Sequence, residues 1–287
     1  DDAQRQQIQT WINDKAIPHL LLSGAPGVGK TTLAKVLFAE LDVSSYDILE
    51  INASRENSVD TVREKINSFV QIMPFGAYKY VLLDEADYMS PNGQAALRGV
   101  MEMYHTSARF ILTCNYPNRV IPALHSRCQG FHMETIDKTE FTARVAEILI
   151  AENTEQDIET LDTYVKASYP DLRKCINMIQ QNVRNGKLMP PASGDSGQQD
   201  YRLQMVELFK KGKIQEARKL VCAQARPEEC EEIYRWLYDN LDIISKDEEA
   251  QDKAVLIIKQ GLVDHSFVAD PEINLASVMI KLTRLST

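Results

Sequence analysis

The sequence predicts an α/β chain in which a parallel-sheet domain with a glycine-rich loop is followed by helical domains. Three observations predict it. Short apolar runs alternate with helix-like stretches of about 10 to 15 residues over the first half of the chain. A glycine-rich segment, Gly24-Ala25-Pro26-Gly27-Val28-Gly29, joins the first such run to the first such helix. After Phe131-His132-Met133 the strand-like runs stop and the pattern becomes helical.

Each element has a local reason. Residues 19–23, His-Leu-Leu-Leu-Ser, form the first strand, and the helix from Lys30 follows the loop. Residues 47–51 are the second strand, and 58–71 an amphipathic helix opened by Ser58. Residues 79–84 are a third strand, 91–104 a helix and 109–114 a fourth strand. Runs of Val, Leu and Ile without polar alternation suit a parallel sheet covered on both faces. Residues 138–152 and 157–168 read as helices, and another follows Pro170. Residues 185–200 hold three Gly, two Pro and two Ser, the composition of a linker. From residue 201 onward the chain reads helical, with turns near Gly212, Pro227 and Asp270-Pro271. The expected domains are 1–136 (sheet and loop), 137–186 (small helical), a linker at 187–200, and 201–287 (helical).

Composition narrows the function. The 287 residues include five cysteines at positions without CxxC or Cys/His ligand spacing, so free thiols in a reducing, intracellular compartment are expected, without a metal cluster. No apolar run approaches the ~20 residues of a membrane span, and the start lacks a secretory pattern. Net charge is −9; residues 1–136 hold 12 basic and 15 acidic side chains. That balance excludes a basic, tightly DNA-binding monomer. It leaves room for local basic patches and for contacts shared by several subunits.

Gly24 to Thr31 fits G-x-x-x-x-G-K-[ST]. Such glycines turn backbone N–H groups toward phosphate oxygens at a helix N-terminus. Gly24 through Thr32 are therefore the expected cradle for nucleotide phosphates. Lys30 would reach the β and γ phosphates, and Thr31 would ligate Mg²⁺. Val81-Leu82-Leu83-Asp84-Glu85 is an apolar strand ending in two acids. At that strand end Asp84 can face Mg²⁺ and Glu85 can polarise a water.

The order of Gly24–Thr32, Asp84-Glu85-Ala86-Asp87, Thr113-Cys114-Asn115 and Ser126-Arg127-Cys128 resembles the AAA+ ATPases. Within them it resembles the sliding-clamp loaders: the replication factor C small subunits and their T-even-phage equivalents. Asn52-Ala53-Ser54, Val62-Arg63-Glu64-Lys65-Ile66, Gln94-Ala95-Ala96-Leu97-Arg98, Asp171-Leu172-Arg173-Lys174 and Phe267-Val268-Ala269-Asp270 add to the match, which spans nearly the whole chain. The resemblance implies an AAA+ domain, a helical lid at 137–186 and an oligomerising collar at 201–287. It implies Asn115 as sensor 1, Arg173 as sensor 2, and Arg127 as an arginine finger acting in the neighbouring subunit. Arg55, Asn57, Ser58, Arg63, Asn92 and Arg98 would touch DNA backbone, with Gln94 and Arg98 coupling DNA contact to Glu85. Phe69, Ile72, Met73 and Phe75 would dock on the clamp, although Phe69 and Ile72 also read as core. Stripes such as Ile233/Leu237 and Ile273/Ala276/Ile280 are expected to be ordinary helix core.

The Lys-Tyr-Arg-Pro segment that packs by adenine in relatives is not in this chain, which begins within its first helix; Ile17-Pro18-His19 is the expected partial wall. The implied partners are the clamp, primer–template DNA and other loader subunits, in a pentamer with at least one different member. Two rival readings are another DNA-directed AAA+ machine, such as a branch-migration motor or helicase loader, and a structural subunit with a fixed nucleotide.

Overall fold

Strand alternation explains how the sheet is covered. In β1 (Leu20–Gly24), Leu20 and Leu22 face one side with Leu82, Ile111 and Phe131, while Leu21 faces the other with Val81, Leu83, Phe110 and Leu112. This period of two buries both faces of the sheet. The computed structural model describes residues 2–56, 58–191, 201–226, 229–265 and 267–285. It divides into two compact units, 1–136 and 137–287.

The first unit begins with α1 (Asp2–Asn13), which packs Trp11 on the first face. After β1 come α2 (Lys30–Glu40) and β2 (Ile48–Asn52). The amphipathic helix that follows contains a π-helical turn at Thr61–Ile66 before α3 (Asn67–Gln71). Then come β3 (Lys79–Asp84), α4 (Pro91–Met103), β4 (Ala108–Cys114), α5 (Pro122–His125) and β5 (Gln129–Met133). All five strands are parallel, in the order β2-β3-β4-β1-β5. The fifth strand extends the four expected. It is an edge strand with alternating exposure, and Gln129 and Gly130 weaken its apolar signature.

The second unit comprises α6 (Lys138–Ala151), α7 (Ile158–Ser168), α8 (Leu172–Asn182), a hairpin of β6 (Val183–Arg184) and β7 (Lys187–Leu188), and α9 (Tyr201–Lys210) through α14. The later helices are α10 (Ile214–Gln224), α11 (Cys230–Asp239), α12 (Leu241–Ile244), α13 (Glu248–His265) and α14 (Pro271–Thr283). Aspartates at 137, 157, 171 and 270 cap helix starts with their side chains. The segments 137–186 and 201–287 contribute to one apolar cluster, and the Trp236 indole N–H donates to the Lys166 carbonyl at 2.6 Å. The expected linker starts with β7; residues 192–200 lie outside the described residues.

Ile233 and Leu237 are core as expected. The stripe Ile273/Ala276/Ile280 is not: Ile273 is 68% exposed and Ile280 41%. α14 is apolar on two faces, and Leu275, Val278, Met279 and Leu282 take the buried one. The exposed stripe floors a groove of about 680 Å³ between α10 and α14, lined by the basic Arg218, Lys219, Lys281 and Arg284 and the acidic Glu272. Among the described residues no helix is long and apolar enough to cross a membrane.

Candidate active site

Parallel pairing with β4 between β1 and β3 puts the carboxyl ends of these three strands at one edge. Gly24 ends β1. A Cβ there would lie 2.4 Å from the Met133 backbone oxygen of β5, so only glycine fits. Gly27 and Gly29 take φ of 76° and 96°, the left-handed geometry that leads the loop into α2. The first N–H groups of α2 have no acceptor within the helix and can receive an anion. Pro26 and Thr32 are exposed, and Ala25 and Val28 half-buried.

The Lys30 ammonium donates to the Gly24 and Ala25 carbonyls at 2.9 and 2.8 Å, and to Asn115 Oδ1 at 2.8 Å. The loop lysine and the amide beyond β4 therefore meet. Thr31 Oγ1 donates to Asp84 Oδ1 at 2.7 Å. Thr113 Oγ1 donates to the same oxygen at 2.6 Å and accepts the Glu85 N–H at 3.0 Å. Glu85 adopts φ 58°, ψ 43°, a left-handed conformation that costs a non-glycine residue about 1–2 kcal/mol. The Thr113 bond and the 3₁₀ turn Ala86–Tyr88 hold it there. Asp87 is buried; its Oδ2 accepts the N–H groups of Asn115 and Tyr116 at 3.2 and 3.1 Å. It thereby fixes the loop that carries Asn115.

Sequence reasoning assigned no role to Thr113 or Asp87. The available signal was a polar residue at the end of an apolar strand and an acid just past the paired acids. Replacing Thr113 by Val is expected to lower folding stability by about 1–3 kcal/mol, because the partly buried Glu85 N–H loses its acceptor and Asp84 Oδ1 loses a donor. Urea unfolding monitored by circular dichroism checks it; an unchanged midpoint would remove Thr113 as a support of this turn.

Arg127 is gathered elsewhere. Its guanidinium donates to the Ala123 carbonyl at 2.9 Å and pairs with Glu102, which also meets Arg98 at 3.4 Å. None of its described contacts is to Lys30, Thr31 or Asp84. Gln94 is buried, with its amide bonded to backbone of Met89, Arg119 and Ile121 at 3.1, 3.1 and 2.8 Å. It ties the start of α4 to the segment before α5; no described contact reaches Glu85. Arg55, Ser58, Asn92 and Arg98 are exposed, whereas Asn57 and the Arg63 side chain lie outside the described residues. Arg173 is exposed in the first turn of α8, behind the Asp171 cap.

Two expectations change. Ile17-Pro18-His19, expected as a partial wall for adenine, lies at the opposite end of β1 from the glycine loop. These residues precede β1, roughly 16 Å from Gly24 at about 3.3 Å per strand residue. The His19 imidazole there accepts the Phe110 N–H at 3.1 Å and lines a hollow with Glu102 and Arg127. Burial, with Arg109 nearby, pushes its pKa down to about 4. Ile72 is not core either: it is 60% exposed, while Phe69 packs partly against the sheet.

Comparison with known proteins identifies the family. The profile of the ATPase family associated with various cellular activities matches residues 20–135. Replication factor C small subunit of Methanococcus vannielii is 34% identical over 223 residues, covering 74% of this chain and 70% of that one. The Archaeoglobus fulgidus protein of the same name is 35% identical, covering 75% and 70%. The Sulfurisphaera tokodaii protein is 40% identical over 187 residues, 64% of this chain and 57% of its own. The structure is similar to Thermotoga maritima RuvB, the Holliday junction branch migration motor, with a TM-score of 0.55 at 14% identity over 73% of this chain and 70% of that one. That likeness is one of fold alone. Identity of 34–35% across 70% of two relatives decides the family: the chain belongs to the replication factor C small subunits, clamp-loader AAA+ ATPases, and is an ATP-hydrolysing enzyme.

Proposed function

We propose that ATP binding to this subunit drives clamp opening and gripping of primer–template DNA, and that hydrolysis releases the closed clamp on DNA. The observation that carries it is the meeting of Lys30, Thr31, Asp84, Glu85 and Asn115 at one sheet edge, while Arg127 of the same chain is tied to Glu102.

Gly24 through Thr32 hold the phosphates, with the Lys30 ammonium on the β and γ oxygens. Thr31 and Asp84 present a hydroxyl and a carboxylate oxygen 2.7 Å apart, hard donors that suit Mg²⁺, which when bound draws charge from the phosphates. Glu85 orients the attacking water and takes its proton. Asn115 hydrogen-bonds the γ-phosphate or that water, and its bond to Lys30 supports this placement. Arg127 enters the neighbouring subunit's site and Arg173 reads the phosphates of its own chain.

Arg55, Asn57, Ser58, Arg63, Asn92 and Arg98 contact DNA backbone, which positions without reading sequence. Gln94 and Arg98 couple that contact to Glu85. Phe69, Ile72, Met73 and Phe75 enter an apolar pocket on the clamp; the exposure of Ile72, Met73 and Phe75 supports this. Residues 137–186 act as the lid and 201–287 as the collar of a pentamer. The groove between α10 and α14 supports a collar that meets neighbouring subunits.

Steady-state hydrolysis with partner subunits, cognate clamp and primed DNA tests the proposal. Stimulation is expected only when clamp and primed DNA are both present. Equal stimulation by branched DNA without clamp would transfer the chain to the motor reading. Binding of ATP without turnover under every condition would leave a structural subunit.

A further inference from the structure

We infer that Asp47 and Lys79 are positioning residues for the clamp-docking loop: a buried ion pair that fixes the backbone at Phe75-Gly76 and so holds the apolar tip ready to dock. The inference rests on the proposed role of residues 69–75 in clamp binding.

The loop between α3 and β3 is unusual for a surface segment. Met73 is 87% exposed, Phe75 78% and Ile72 60%, and Tyr46, at 75%, lies tilted beside Phe75 with ring centroids 5.7 Å apart. Ile72, Met73 and Phe75 form one exposed apolar run at the tip of the loop, and Tyr46, beside Phe75, extends the docking surface. Free apolar side chains on a loose loop would collapse or sample many conformations, and docking would have to order them.

Beneath the tip lies charge. The Asp47 and Lys79 side chains are 1% and 2% exposed and 2.8 Å apart. Asp47 Oδ1 accepts the Phe75 N–H at 3.0 Å, and Oδ2 accepts the Gly76 N–H at 2.8 Å. Lys79 donates to the Tyr46 carbonyl at 2.9 Å, and its ammonium lies 4.9 Å from the Phe69 ring centroid and 5.8 Å from that of Phe75. The pair therefore touches both segments that build the tip. Burial pulls the Asp47 carboxyl upward, yet the bonds from Lys79, Gly76 and Phe75 outweigh it and hold the group below its ordinary range.

Stability alone does not call for this arrangement. Two desolvated charges gain little over apolar residues of the same volume. What apolar residues cannot do is accept two adjacent backbone N–H groups and a lysine at once. The pair gives the loop one conformation, and the gain appears as affinity for whatever the tip enters.

The test uses the assembled loader, titrated with fluorescently labelled clamp in the presence of a non-hydrolysable ATP analogue. Three variants are compared: Phe75→Ala, Asp47→Asn and the double variant Asp47→Leu/Lys79→Met. Asp47→Asn strands a buried ammonium and is expected to lower both melting temperature and clamp affinity. Phe75 and Gly76 are exposed, so in the double variant their freed N–H groups turn to water; it is expected to recover the melting temperature to within about 5 °C, yet bind clamp about tenfold more weakly. ATP affinity is the control and stays unchanged. A purely structural pair would recover clamp affinity together with stability; that result, with Phe75→Ala still weakened, overturns the inference and spares the docking role of the loop. If Phe75→Ala binds clamp as wild type does, the docking role itself fails, and the inference with it. Amide exchange of the unmodified chain gives a check independent of variant folding. The Phe75 and Gly76 amides should exchange at least tenfold more slowly than an unstructured loop, and unprotected amides would overturn the inference.

Discussion

Replacing Arg127 by alanine is expected to lower the DNA-stimulated hydrolysis rate of the assembled loader by roughly 10³–10⁵, the worth of a guanidinium aimed at developing phosphate charge. The loss should not come from unfolding. Arg127 is partly exposed, and its pairing with Glu102 is the kind of surface ion pair worth about 0–1 kcal/mol. The decisive measurement mixes Arg127→Ala with Glu85→Gln, each inactive alone. Where an Arg127→Ala subunit supplies Glu85 and its neighbour supplies Arg127, the shared site is whole. With random mixing roughly a quarter of interfaces are restored, and activity should return in that proportion. No recovery, with assembly intact, would end the trans assignment and leave Arg127 as a brace between α5 and α4.

Lys30→Met is expected to weaken ATP binding by roughly 10²–10⁴. Two charge-assisted bonds to phosphate are lost at about 1.5–3 kcal/mol each, and every 1.4 kcal/mol is tenfold. The fold should persist, because methionine keeps much of the volume; the buried Gly24 carbonyl loses a donor at a cost of about 1–3 kcal/mol, while the Ala25 carbonyl is only partly buried. Titration with a fluorescent nucleotide reads the affinity, and circular dichroism reads the fold. Unchanged affinity in a folded variant would remove the glycine loop from the nucleotide site.

Lys30 lies in a motif legible in the chain, whereas the role of Arg127 comes from the resemblance carried by Ser126-Arg127-Cys128. Gly24–Thr31 and Val81–Glu85 are contiguous, and a glycine turn or an acid-tipped apolar strand carries its meaning in neighbouring residues. The internal strands were legible for the same reason: runs buried on both faces read as unbroken apolar segments. β5 was less so, because an edge strand covers one face and keeps polar residues on the other.

Thr113 and Asp87 show where local reading stops. Each lies inside a segment that was read, yet each acts on a partner across the sheet: Thr113 on Asp84 and Glu85, Asp87 on Asn115. Only the register of β3 against β4 makes those bonds. The placement of His19 has a similar cause. It neighbours the glycine loop in sequence, but an extended strand separates its two ends.

Residue order and local chemistry alone determined the glycine cradle, the acid-tipped strand, the alternation of strands and helices, and the helical second half. Tertiary structure decided which of two apolar faces of α14 is buried, that Ile72 is exposed while Phe69 packs, and that Asp47 and Lys79 meet beneath the loop tip. The reason is physical. A helix or a loop can carry more apolar surface than one neighbour can cover, and a charge can be buried only where its partner arrives from a distant segment.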